Sequence, residues 1–276
     1  MSLIIVRALG LVTVQDGGRV GHMHEGLARG GPLVRSRLVA ANRAVDNEDF
    51  APAIEVSGQL IVRAETQTVM ATDRMGMGML RPQVGDFTIE SEPLRATYLA
   101  IRGGVAAATI LGSASANLAA ALGHVLAAGT RIESAHAPGA GTAGARSASG
   151  CAADGGGAIG ILPGPDLHAF APDALAALVS APYRIAPASD RVGTRLVGPV
   201  VARSSAPDRS RPTVLGAIEV PRDGQPIVLG PEHPTTGGYP IVGVICAADL
   251  DRFFAIRIGG EVVFEVGHVA TSRARS

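Results

Sequence analysis

The stretch GAIEVPRDGQPIVLGPEHPTTGGYPIVGVICAADLDRFF, residues 216 to 254, sets two apolar runs on either side of a loop rich in turn residues. Ile227-Val228-Leu229 and Ile241-Val242-Gly243-Val244-Ile245 are short and dominated by β-branched side chains, the pattern of largely buried strands. Between them, Thr235-Thr236-Gly237-Gly238-Tyr239-Pro240 brings together two hydroxyls, two glycines and a phenol. Glycine permits φ > 0 and close approach of a ligand to the main chain, so Gly237 and Gly238 are expected to shape a small anion or carbonyl site flanked by hydroxyl donors. A sharp turn that binds nothing is the competing reading, because glycine pairs often only reverse the chain.

The same strand rhythm runs through the first half of the chain. Leu3 to Val6, Leu60 to Val62, Thr68 to Ala71 and Tyr98 to Ile101 are short apolar runs separated by Gly, Pro, Asp and Asn. Ser36 to Val45 instead follows helical spacing, with Leu38, Val39 and Ala41 on or near one face. A second helix is expected from Pro172 to Val179, with Pro172 in its first turn and Asp173 at its N-terminus. Only these two helices are clear, which predicts a mainly β chain of two barrel-like or sandwich-like domains. Ser134 to Gly157, SAHAPGAGTAGARSASGCAADGGG, is too poor in large apolar groups to build a core and reads as a linker or loop. It divides an N-terminal domain, 1–155, from a C-terminal domain, 156–276.

Composition narrows the function classes. A chain of 276 residues with 47% hydrophobic and 17% charged residues is long enough to bury two cores. With aromatics at 3%, those cores are expected to rely on Val, Ile, Leu and Ala. Basic and acidic residues balance at 24 each, so no net charge draws the chain to nucleic acid. No run reaches the roughly 20 apolar residues that cross a bilayer, and the N-terminus MSLIIVRALG has no secretion-signal pattern, so a cytoplasmic location is expected. All 24 basic residues are arginine. Without lysine there is no Schiff-base chemistry, no lysine-dependent phosphate loop and no attachment point for biotin. Cys151 and Cys246 lack metal or redox spacing, and His22 and His24 have no supporting ligands, so no metal site is expected.

The motifs taken together carry a resemblance. Thr13-Val14-Gln15-Asp16-Gly17-Gly18-Arg19 is followed by Ala41-Asn42, Ile54-Glu55, Tyr98-Leu99-Ala100-Ile101-Arg102-Gly103-Gly104 and Leu111-Gly112-Ser113. Leu162-Pro163-Gly164-Pro165, Ser189-Asp190-Arg191-Val192-Gly193-Thr194-Arg195-Leu196, the segment from Val220-Pro221 to Leu229, and Thr235 to Pro240 then come in order. In this set the chain resembles the family of the 5-oxoprolinase C subunit, allophanate hydrolase subunit 2 and the carboxyltransferase part of urea amidolyase, over nearly its whole length. The resemblance implies two cyclophilin-like β-barrel domains with a few short helices, usually beside a related partner subunit. It also implies action on a small lactam, amide or urea-like substrate, as a biotin-dependent carboxyltransferase or an ATP-dependent hydrolase subunit. No cofactor would be bound covalently; carboxybiotin or ATP would be supplied through partner subunits.

Departures from the family pattern matter too. Gly31-Pro32-Leu33-Val34 has Val34 where the family has aspartate, and Glu219, Pro234 and Ala255 stand where it has glutamines. Thr194 stands where it has tyrosine. The stretch after Thr72 looks shorter, and Met75, Met77 and Met79 alternate there in a pattern suited to core packing or to a greasy pocket.

The candidate catalytic residues are Thr235, Thr236, Tyr239 and His233, the last for its near-neutral pKa, with an exposed loop histidine as the alternative. Candidate substrate-binding residues are Asp16, Arg19, Asn42, Glu55, Asp190, Arg191, Arg195, Gly237 and Gly238. Asp16 and Arg19 suit either a structural ion pair or a ligand carboxyl, and Arg191 suits a carboxylate-binding fork or an intersubunit salt bridge. Asn42 and Glu55 suit an amide substrate or local capping and burial. Two rival functions remain open on these residues: a diverged stand-alone isomerase or cyclase, and a non-catalytic regulatory or binding subunit. The partner could equally be a related subunit or a second copy of the chain.

Overall fold

A computed structural model of the chain describes residues 2–74, 83–136, 156–204 and 210–267. Met75, Met77, Met79, Cys151 and most of the small-residue stretch after Ser134 lie outside the described residues. The chain divides into two compact units, Met1–Asp154 and Gly155–Ser276. It is mostly β, with a nearly closed barrel-shaped sheet and few helices. Among the described residues no helix is long and apolar enough to cross a membrane.

The N-terminal unit is organised by two long strands, β1 (Ser2–Gln15) and β2 (Ala53–Thr68), joined through helix α1 (Arg35–Ala44). They pair antiparallel from Leu3↔Ala64 to Gln15↔Ala53. Leu3, Ile5, Val12 and Val14 on β1 share a core with Ile54, Val56, Leu60 and Val62 on β2. Midway, Gly10 and Gly58 face each other with φ of 91° and 126°, and a Cβ on either would strike the opposite backbone carbonyl. Only glycine fits both positions. Beyond them come β3 (Met70–Thr72), β4 (Gln83–Glu90), β5 (Thr97–Ile101) and β6 (Arg131–Glu133). The sheet order is β3-β5-β2-β1-β6, with β4 also on β2. Because β2 is 16 residues long, it pairs β5 along its first half and β4 along its second.

In the C-terminal unit the strands are shorter: β7 (Ile159–Pro163), β8 (Tyr183–Ile185), β9 (Gly193–Val197), β10 (Arg211–Pro212), β11 (Ala217–Glu219), β12 (Ile227–Leu229), β13 (Thr236–Gly237), β14 (Ile241–Ile245), β15 (Glu261–Val262) and β16 (Phe264–Val266). Eight of them form one sheet in the order β15-β8-β9-β12-β11-β14-β7-β16, and β10 and β13 pair separately. The two apolar runs, β12 and β14, do not pair with each other: β11 lies between them, with Ile218 opposite both Val228 and Gly243.

Helix α2 (Ala174–Val179) starts after its N-cap Asp173, whose carboxylate makes no capping bond. Pro172 therefore precedes the helix rather than opening it. A third helix, α3 (Leu250–Ala255), adds to the two read from spacing. Asp249 at its N-cap receives the Gly160 amide at 2.9 Å and pairs with Arg252 at 2.5 Å. The buried apolar residues are mainly Val, Ile, Leu and Ala, as expected, but Tyr183, Phe253, Phe254 and Phe264 are buried too, with ring centroids 5.1 to 6.2 Å apart in their contacts. Few aromatics are present, but α3, β8 and β16 gather them in one place.

Candidate functional site

The Thr235–Tyr239 candidate segment lies around β13. Its ladder partner is β10, with Arg211 opposite Gly237 and Pro212 opposite Thr236, and the Thr213 amide donates to the Thr235 carbonyl at 3.1 Å. Thr236 and Gly238 are exposed, Tyr239 is 42% exposed, and Thr235 and Gly237 are half-buried. Neither Gly237 nor Gly238 has a positive φ, which corrects the expectation of a left-handed glycine loop. Gly237 is small for another reason: a Cβ there would fall on Glu219 Oε1 and against Thr213 Cγ2. Nothing lies within 4 Å of a Cβ position on Gly238.

Glu219 ends β11 at 5% exposure, and its Oε1 is buried without a hydrogen-bond partner. Burial pushes its carboxyl up to about 7 from the ordinary 4.5. Residues opposite one another in an antiparallel pair point to one face, so Arg211 extends from the side of β10 that Gly237 turns toward Glu219. Arg211 forms an ion pair with Asp166, and its Nε is buried without a hydrogen-bond partner. Asp166 in turn accepts the Ile241 amide at 2.9 Å, and Ile241 is the register partner of Glu219.

His233 is buried at 4% exposure, not the exposed loop residue that was the alternative to catalysis. Its Nδ1 lies 2.8 Å from the Pro234 carbonyl and 3.1 Å from Thr213 Oγ1. A carbonyl only accepts, so Nδ1 carries the proton. Burial lowers the His233 pKa, against an opposing push from the Pro234 carbonyl. The ring is thus a neutral group that fixes the turn into β13.

Of the other C-terminal candidates, Arg191 and Asp190 take structural positions. Arg191 Nε meets Glu232 Oε1 at 2.5 Å, both side chains buried, so its fork is engaged within the unit. Asp190 Oδ1 accepts the Val192 and Gly193 amides, each at 2.9 Å, and closes the turn before β9. Arg195 is exposed on β9.

In the N-terminal unit, Asp16 and Arg19 both serve the loop at residues 110–115. Asp16 receives Ser113 Oγ at 2.5 Å, Ser115 Oγ at 2.6 Å, and the Ala114 and Gly18 amides at 2.6 and 2.9 Å. Burial raises its pKa, but these four donors outweigh it and hold the carboxyl below its ordinary value. Arg19 donates to the carbonyls of Ile110 at 3.1 Å and Ser113 at 3.3 Å. Glu55 Oε2 takes the Tyr98 hydroxyl at 2.7 Å and the Leu33 amide at 2.8 Å, while the Val34 amide donates to the same hydroxyl at 2.9 Å. Val34 is the N-cap of α1, so an aspartate at this position would stand where a side-chain cap belongs. Asn42 donates to the Ala51 carbonyl at 2.8 Å and accepts from Asn47 at 3.0 Å, tying α1 to the chain that follows it. A cavity of about 290 Å³ lies in this unit, with aliphatic walls including Val14, Ala114, Leu126 and Ile132, and with Arg19 and His124 among its lining.

Sequence reading missed Thr213, Asp166, Arg211 and Glu232, whose partners are distant in the chain. Glu219 was visible only as a departure from a family glutamine.

The carboxyltransferase domain, subdomain A and B, matches residues 89–266. This chain belongs to the carboxyltransferase-domain family. It is 32% identical to the 5-oxoprolinase C subunit of Escherichia coli, over 95% of this chain and 90% of that protein. It is 28% identical to the urea amidolyase of Lachancea kluyveri over 91% of its own length, which is 16% of that protein. Among solved structures, TTHA0988 superposes with a TM-score of 0.82 at 31% identity, and this carboxyltransferase-domain chain covers 55% of its length. The K. lactis urea amidolyase shares the fold, with a TM-score of 0.82 at 21% identity over 18% of its length.

Proposed function

We propose that this chain is one subunit of an enzyme that acts on a small lactam, amide or urea-like substrate beside a related partner. The observation that supports this is the 32% identity to a 5-oxoprolinase C subunit along 95% of the chain, through both compact units. In this reading the exposed Thr236 hydroxyl and the Tyr239 phenol are donors to oxygen that gains charge during the reaction. His233 and Thr213 hold that segment in place rather than exchange protons with substrate. Asp16, Arg19, Glu55 and Asn42 are spent on folding the N-terminal unit, and Arg191 is spent on Glu232.

Carboxybiotin or ATP would be brought by a partner, since a chain without lysine has no attachment point for biotin. Carboxybiotin supplies a carboxyl group and ATP supplies driving force. The donors that fit an acceptor-rich group of this kind are Thr236 and Tyr239, whereas the fork of Arg191 is already filled. The test is reconstitution with the genomically neighbouring subunits, followed by assays of ATP-dependent 5-oxoproline opening and carboxybiotin-dependent urea carboxylation. Turnover that requires this chain supports the reading. An intact complex that turns over neither substrate contradicts it.

A second reading, a diverged isomerase or cyclase that folds and desolvates its substrate, has the N-terminal cavity in its favour, although that cavity is lined by residues of its own unit and not by Thr235. Activity of the isolated chain, without ATP or partner, would distinguish it.

A further inference from the structure

Glu219 combines features that the reading above does not use. It is a buried carboxylic acid with an unpartnered oxygen, and it occupies the space a side chain on Gly237 would need. The segment it touches is weakly held. The β10–β13 ladder has two residue pairs, and beside it only the Thr213 amide to Thr235 carbonyl bond and the Val220 amide to Pro240 carbonyl bond secure this stretch among the backbone bonds described.

We propose that Glu219 is a proton-dependent positioning residue: as a neutral acid it packs beneath Gly237 and keeps β13 on β10, and its ionisation favours release of the Thr235–Tyr239 segment. A neutral carboxyl loses little by lying against the Gly237 backbone, whereas a carboxylate there is dry and without a donor. Release of β13 lets water reach the carboxylate, so the opened form is favoured by the charge. Neighbouring elements supply few other charges. β12 and β14 present only Ile227, Val228, Leu229 and the Ile241–Ile245 run. β10 presents Arg211, which Asp166 engages, and the turn into β13 presents His233, kept neutral by burial, with Glu232 paired to Arg191 behind it. Glutamine at this position would keep the shape and remove the proton. The functional meaning of the latch rests on the reading that this segment is the site; the latch itself does not.

The sign follows from linkage. Glu219 titrates at about 7 when packed and near 4.5 when released. Opening should therefore become about tenfold more frequent per pH unit between 4.5 and about 7, and level off above that. Hydrogen exchange at the Thr213 amide, which donates to Thr235, reads this opening in the isolated chain without any turnover assay. After division by the intrinsic amide rate, protection should fall across this range in the natural chain and stay flat in Glu219→Gln. Constant protection in the natural chain overturns the proposal. The same fall in Glu219→Gln also overturns it, moving the effect to His233 or to the Asp166–Arg211 pair. A carbon-13 NMR titration of the Glu219 carboxyl needs no variant: a midpoint near 7 is expected, and one near 4.5 contradicts the packed neutral acid.

Discussion

Asp73 holds three donors at once: Arg37 Nη1 at 2.6 Å, the Thr97 hydroxyl at 2.5 Å and the Tyr98 amide at 2.7 Å. The Arg37 and Asp73 side chains are 3% and 0% exposed, so removing the carboxylate leaves a guanidinium dry. Asp73→Ala is therefore expected to cost about 3–5 kcal/mol of stability, measured as a fall in the urea midpoint at unchanged m. Glu219 acts with the opposite sign. Its folded pKa of about 7 exceeds the ordinary 4.5, so the stability it permits is full at low pH and is lost as pH rises toward 7. Glu219→Gln should match the natural chain at pH 4 and exceed it at pH 8 by about 3 kcal/mol, the free energy of the same pKa difference. Equal stability at pH 8 would contradict the buried acid. At this scale the motifs were legible, but their roles were not. Asp16 stood out in its glycine-rich turn, yet its partners Ser113 and Ser115 lie 97 and 99 residues away. Spacing within a turn carries no information about such contacts.

At the scale of elements, the β1–β2 pair depends on Gly10 and Gly58. Gly58→Ala meets both a φ of 126° and the Leu9 carbonyl, and is expected to lose on the order of 2 kcal/mol or more in thermal or urea unfolding. Helix α1 offers a gain instead. Val34 is its N-cap and provides no side-chain bond, so Val34→Thr, nearly equal in shape, should add about 0.5–1 kcal/mol if its hydroxyl caps the first turn. A lower unfolding midpoint would mean that the hydroxyl is buried without a partner. Strands with sustained β-branched runs, such as β12 and β14, were readable because their side chains state their own burial. β10 and β13 were not: Arg-Pro and Thr-Gly have no period, and they are strands only because they meet. β11 was hidden in the same way, as three residues ending in a buried acid. Helix α3 escaped because it is only six residues long, so Leu250, Phe253 and Phe254, though helically spaced, do not repeat often enough to show a period.

For the whole molecule, the mainly β class followed from strand rhythm, while family membership required many short motifs in one order. The likeness to the 5-oxoprolinase C subunit runs through both compact units, but most of the polar residues singled out for substrate are engaged in holding loops and strands. Thr236 and Tyr239, on and beside β13, are instead exposed, and the proposed function rests on them. Asp16 and its four donors illustrate why the distinction was hidden: a carboxylate that folds a loop and one that binds a ligand use the same residue type in the same glycine-rich setting. The most direct measurement is steady-state turnover of the reconstituted complex carrying Thr236→Val and Tyr239→Phe together. A fall in kcat of about 100-fold with the complex still assembled is expected, as when oxyanion donors are removed. Unchanged kcat in an assembled complex would contradict the assignment of this segment to the reaction.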